Sequence, residues 1–166
     1  MIGKRMEQAL NDQIREELGS AYLYLAMAAY FAAEGWDGMA RWMRVQAQEE
    51  QGHAMRIFDH LVARGGRVRL QALAEPEATW ASPLAAFQAA YKHEGHITGR
   101  IHALVELAER EKDRAAAAML QWFVSEQVEE EDNALKVVQL LERMGSDARG
   151  LAMADRELGR RGTEEE

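Results

Sequence analysis

Four stretches of this chain repeat apolar residues at helical spacing, and each interrupts its apolar column once with a glutamate. Residues seven apart lie nearly one above another on a helix. The columns read Leu10-Glu17-Tyr24-Phe31, Met43-Glu50-Ile57, Phe87-Glu94-Ile101 and Phe123-Glu130-Val137-Met144. In each, the flanks are core residues and the centre is an acid. Taking a carboxylate out of water costs several kcal/mol unless something compensates it. One such substitution in each of four helices points to a bound cation.

Turn and capping residues divide the chain further. The pattern predicts α1 over about 4–33, stopping near Gly35, and α2 over about 37–65, with Asp37 as N-cap and Gly65-Gly66 as its end. A turn this short makes the pair antiparallel. Helix α3, over about 83–112, opens on Ser82-Pro83, a capping residue followed by proline at the first helical position. Asp113 caps α4, over about 114–144, which is antiparallel to α3 and ends before Gly145. A short amphipathic α5 is expected over about 147–158, and the tail over about 160–166 is expected to be mobile.

The one long link, the 17 residues from Gly66 to Ser82, has no helical period. Extended, it could reach ~55 Å at ~3.3 Å per residue, whereas a helix the size of α2 is about 45 Å long. The link can therefore cross the entire bundle. These elements predict an all-α four-helix bundle with one long crossover between the second and third helices, plus a short fifth helix at the C-terminal end. The four helices have similar lengths and each column glutamate lies near its helix midpoint, so the acids share one level whichever way each rod runs.

Composition narrows the chemistry. The 166 residues fit a single domain over 1–166, and a hydrophobic content of 48% with only 2 Pro suits a compact helical protein. Without Cys, no thiolate can bind metal, which leaves oxygen and imidazole donors. The net charge of -8 argues against a nucleic-acid or anionic-membrane partner. The longest uncharged run, Leu18 to Ala33, is shorter than the ~20 residues a bilayer span requires. Residues 1–7 lack the apolar core of a secretory signal, so a cytoplasmic location is expected.

The candidate ligands have metal-binding spacing. Glu50-x-x-His53 presents an oxygen and a nitrogen on one helix face. Carboxylate-bridged di-iron proteins combine one Glu from each of two helices with Glu-x-x-His from each of the other two. Here α1 offers Glu17, α3 offers Glu94 and α2 offers Glu50 and His53, while α4 carries Gln127-x-x-Glu130 in place of the second Glu-x-x-His. Hard oxygen donors with one imidazole suit iron, manganese or adventitious zinc. His93 and His96 lie off the face of Glu94 and are expected at the surface or an interface, with His60 and His102.

On these residues the chain resembles the non-haem ferritins of bacteria and archaea, from α1 through α5. The matching stretches are Ala21-Tyr22-Leu23-Tyr24-Leu25, Gln46-Ala47-Gln48-Glu49-Glu50-Gln51-Gly52-His53-Ala54-Met55, Tyr91-Lys92-His93-Glu94, and Leu120-Gln121-Trp122-Phe123-Val124-Ser125-Glu126-Gln127-Val128-Glu129-Glu130. The resemblance implies a ferritin-like fold and a ferroxidase centre, with Glu17, Glu50 and His53 on one iron, Glu50, Glu94 and Glu130 on the other, and Gln127 beside the pair. It implies a third iron site at Glu49, Glu126 and Glu129, and a redox-active Tyr24. Glu126 and Glu129 share a helix face and would serve equally as solvated charges, and Tyr24 as an ordinary core tyrosine. The resemblance further implies oxidation of Fe(II) by dioxygen or peroxide, and storage of Fe(III) as mineral in a hollow homo-oligomer of about 24 subunits. In that shell Leu151, Met153 and Leu158 of α5 would pack near symmetry axes. Gln51 stands where bacterioferritins carry their haem-ligating Met, so no haem is expected.

Three rival functions share parts of the pattern. A rubrerythrin-like di-iron peroxidase or oxidase without storage would carry a second Glu-x-x-His and a cysteine-bound iron, neither of which is in this sequence. A DNA-protecting mini-ferritin would place its iron site between subunits. A metal-free structural bundle leaves the four central glutamates unexplained. The absent second histidine has its own meaning, because weaker donors on the second metal favour release of an oxidised product over permanent retention.

Overall fold

The structure, a computed structural model, describes residues 1–162. The expected mobile tail lies for the most part outside the described residues. Among the described residues five helices form: α1 Lys4–Ala33, α2 Asp37–Ala63, α3 Pro83–Arg110, α4 Arg114–Met144 and α5 Ala148–Leu158. Gly35 and Gly65, at φ 82 and 70, end the first two in the left-handed conformation that lacks a Cβ penalty. Helix α1 packs along α2, and α3 along α4.

Local capping accounts for three of the helix starts. Ser82 Oγ accepts from Ala85 N at 3.1 Å, Asp113 Oδ1 from Ala116 N at 3.0 Å and Asp147 Oδ1 from Gly150 N at 2.7 Å. Helix α2 departs from expectation. Asp37 is its first helical residue, and the N-cap is Trp36, which supplies no side-chain acceptor. The acceptor comes from α5 instead, where Asp155 Oδ1 takes the Met39 N–H at 2.8 Å.

The crossover lies along α1. Buried Asn11 accepts from Arg69 N at 2.6 Å and donates to Arg67 O at 3.0 Å, while Gln71 pairs with Asp12 and Arg15. At the far end Trp80 packs edge-on against Tyr30, with ring centroids 5.4 Å apart. The link thus runs from the Asn11 level to the Tyr30 level of α1. About two turns of α1 precede the first level and less than one follows the second, so the link spans most of the helix.

The apolar core is in two parts. One cluster holds Tyr24, Phe31, Met43, Phe87, Val137 and Leu158, and the other Leu10, Ile14, Ile57, Ile101, Leu120 and Phe123. Each glutamate of the four columns falls between them. Burying these two clusters drives the bundle together, and the acids are carried inside because they share helices with that apolar surface. Leu158 and partly buried Leu151 of α5 pack on the chain's own first cluster, leaving Met153 half-exposed.

Candidate metal centre

Between the two clusters stands a polar layer drawn from all four long helices. Glu17, Glu50, Glu94 and Glu130 are 0%, 1%, 1% and 4% exposed, and His53 is buried with them. Their donor atoms close into two groups that can hold a cation: Glu17 with Glu50 and His53, and Glu50 with Glu94 and Glu130, the atoms of each lying within 4.8 Å of one another. Glu50 belongs to both. A third group joins His53, Glu126 and Glu130.

The donors left without partners face inward. Glu17 Oε2 and His53 Nδ1 are buried and make no hydrogen bond. They stand 3.9 Å apart, and His53 Nδ1 is also 3.4 Å from Glu50 Oε2. A buried polar atom without a partner costs about 1–3 kcal/mol, and a cation between these atoms would satisfy them together. The donor set fits a hard or borderline divalent metal.

Amides and a phenol orient the carboxylates from behind. Gln13 donates to Glu17 Oε1 at 2.8 Å, and Gln46 donates to Glu50 Oε1 at 2.9 Å and to Glu130 Oε2 at 2.7 Å. Tyr24 donates to Glu94 Oε1, and Gln127 Nε2 lies 3.3 Å from Glu94 Oε2 and 3.2 Å from Thr98 Oγ1. Such partners fix ligand rotamers and tune basicity.

Charge in this layer is unbalanced without a metal. Burial, reinforced by Glu50 and Glu130, raises the Glu94 carboxyl to about 8, against donation from Tyr24 and Gln127. Burial and Glu50 raise Glu130 to about 7. Glu17 is pushed well above the usual carboxylate range by burial and by Glu50. Burial would keep the His53 imidazole neutral, yet Glu50, Glu17 and Glu130 lift it to about 9. Tyr24 is held protonated by burial and by Glu94, so it can only donate to that carboxylate. Binding a divalent ion here would expel protons.

The remaining candidates are placed differently. Glu126 turns toward His53, with Oε1 3.6 Å from Nε2. Glu49 is held by Arg161 Nη2 on its outer side, and Glu129 is exposed; among the described residues neither joins a three-donor group. His93 is not the surface group its helix position suggests: Nε2 is 2.7 Å from Ser20 Oγ and the ring meets Tyr24 edge-on at 6.0 Å. Gln13 and Gln46 were missed by the sequence reading, although each precedes its glutamate by one turn, a spacing that brings side chains together. Arg161 left no sequence signal.

The Ferritin-like domain family matches residues 7–144. This chain belongs to the ferritin family. Its relatives include proteins named bacterial non-heme ferritin: one from Bacteroides fragilis, 41% identical over 97% of this chain and 100% of its own length, and one from Staphylococcus aureus, 36% identical over 100% of both. Among solved structures, the open-pore ferritin of the hyperthermophilic archaeon Archaeoglobus fulgidus superimposes with a TM-score of 0.95 at 53% identity, covering 97% of this chain and 99% of that one. A variant of that ferritin engineered to a closed form gives the same TM-score and identity. The ferritin fold thus explains the long crossover and the short fifth helix. No helix among the described residues of this ferritin is long and apolar enough to cross a membrane.

Proposed function

We propose that this ferritin oxidises Fe(II) as its substrate at the intra-bundle centre and stores Fe(III) as mineral within a hollow homo-oligomer of about 24 subunits, in the cytoplasm. The observation that carries this reading is the sharing of Glu50 between two buried three-donor groups, the first of which holds two ligand atoms, Glu17 Oε2 and His53 Nδ1, without hydrogen-bond partners. Glu17, Glu50 and His53 would hold one Fe(II); Glu50, Glu94 and Glu130 would hold the other. Two Fe(II) supply two electrons, enough to reduce one dioxygen to hydrogen peroxide with two protons, or one peroxide to water.

The chain's own groups prepare and clear that step. Glu94, Glu130 and His53 hold protons in the metal-free state and surrender them to the arriving cations. Gln13, Gln46 and Tyr24 keep the carboxylates in ligating rotamers, and Tyr24 is in contact to pass an electron. Gln127 gives the second position a neutral amide where a stronger donor would retain the product. Glu126, near His53 Nε2, offers an oxidised ion its first carboxylate outside the pair, with Glu49 and Glu129 beyond it as the outer ligands of a third site.

The test is the iron retained after aerobic Fe(II) loading and removal of free metal on a sizing column. Retention far above about two irons per chain, the number one di-metal cluster holds, is the expected result. Retention near two would assign a rubrerythrin-like enzyme instead, and none would leave the buried carboxylates without a metal role.

A further inference from the structure

A residue outside the bundle reaches its metal ligands through one amide. Arg161 follows α5, and its guanidinium lies over the Trp42 ring at 4.2 Å. One end of the fork, Nη1, donates to Gln46 Oε1 at 2.9 Å, and the other, Nη2, to Glu49. Its backbone is held as well, since Arg41 Nε donates to Arg161 O at 3.1 Å. The side chain is only 19% exposed, although it belongs to the C-terminal segment.

Donor chemistry makes this contact directional. A guanidinium has no acceptor, so it can face only the oxygen of the Gln46 amide. With Oε1 turned outward, the NH2 must point inward, where it meets Glu50 Oε1 and Glu130 Oε2. An unconstrained amide could flip and aim its oxygen at those two carboxylates. We propose that Arg161 is a positioning residue for the metal centre, fixing the Gln46 amide so that its NH2 spans Glu50 and Glu130.

The consequence is that docking of the C-terminal segment sets the geometry of the shared ligand. Arg161 touches no candidate ligand of the pair itself; it acts through Gln46. Trp42 supplies a flat seat and Glu49 a second anchor, so the fork has one stable pose. A lysine keeps the charge but not the fork, and cannot hold Gln46 and Glu49 in the same way.

This inference rests on the metal-centre reading above, and Co(II) separates the two, because its visible d–d bands report ligand geometry. The full-length protein and its Arg161→Gln, Arg161→Lys, Gln46→Ala and Gln46→Ala/Arg161→Gln variants are titrated with Co(II), with Arg156→Gln, on the exposed side of α5, as the charge control. Arg161→Gln is expected to weaken Co(II) binding by ~10-fold, the low end for residues behind a ligand, and to alter the bands with helicity unchanged. Arg161→Lys should share the altered bands, Arg156→Gln should not, and the double variant should bind no worse than Gln46→Ala alone. Wild-type spectrum and affinity in Arg161→Gln, full rescue by lysine, or losses that multiply in the double variant would each overturn the assignment. Absence of Co(II) binding in the unsubstituted protein would overturn the metal-centre reading, and this one with it.

Discussion

Gly38 of α2 and Asp155 of α5 meet backbone to backbone: a Cβ on Gly38 would stand 1.8 Å from the Asp155 carbonyl oxygen. The same aspartate caps α2 through Met39 N. Glycine is required here for close approach, and the pair sets where α5 ends and where Arg161 begins its reach along α2. Gly38→Ala cannot be absorbed by a side-chain movement, because the opposing atom is main chain. It should cost about 1–3 kcal/mol, as overpacking does, lowering the melting temperature of the metal-free protein. Gly99→Ala on α3, with nothing within 4 Å of the new Cβ, should instead stabilise by about 0.5–1 kcal/mol. Equal melting temperatures for the two variants would contradict this contact.

Glu50 is the one carboxylate common to the Glu17–Glu50–His53 and Glu50–Glu94–Glu130 groups, so its loss should disable them together. Glu50→Ala is expected to slow Fe(II) oxidation by more than ~100-fold, since even residues behind a ligand contribute 10–100-fold. The bundle should stay folded, because the substitution removes a buried charge rather than core packing. Stopped-flow oxidation and circular dichroism read the two halves of this prediction. Undiminished oxidation in the variant would rule out the centre.

The pH dependence of the metal-free protein follows from the raised groups of this layer, Glu17 among them. Glu94 and Glu130 sit at about 8 and 7 against an ordinary 4.5, and His53 at about 9 against 6.5. In each case the folded chain holds protons that the unfolded chain has released, so stability falls as pH rises. The loss runs from the ordinary values up through the folded ones, for the acids between 4.5 and about 8 and for His53 between 6.5 and about 9. Melting temperature measured across that range should decline steadily and then level off. Glu94→Gln should flatten the slope, and a rising profile would contradict the sign.

Gln127 presents an NH2 to Glu94 Oε2, and Gln127→Glu would replace that donor with a fifth buried carboxyl group. Without metal the variant should melt lower, since another carboxyl is buried beside Glu94 and the donation from the amide is lost. With metal it should bind the second ion more tightly and release oxidised iron more slowly, measured as fewer turnovers per centre under excess Fe(II). Faster turnover in the variant would show that the amide is not what frees the product.

Much of this architecture was legible along the chain. The heptad columns located the four acids, Glu50-x-x-His53 singled out the imidazole, and the length of the Gly66–Ser82 link distinguished a bundle-crossing connection from a hairpin. Helical periodicity is local, so a polar residue in an apolar column is visible without its neighbours. The cap of α2 was misread for the same reason: Asp37 is adjacent in sequence, whereas Asp155 is 116 positions away. His93 was misjudged because its offset from Glu94 gives its direction on α3 but not that Ser20 and Tyr24 of α1 stand there.

Local periodicity settles the helix faces, and with them the burial of four carboxylates and a histidine at one level of the bundle. The pairing between elements emerges only on packing: Gln46 spanning Glu50 and Glu130, Glu126 turned to His53, and Arg161 seated on Trp42 to hold Gln46. Those contacts depend on the rotation and axial offset of one helix against another. The two apolar clusters set these through close packing, and no single helix's period records them.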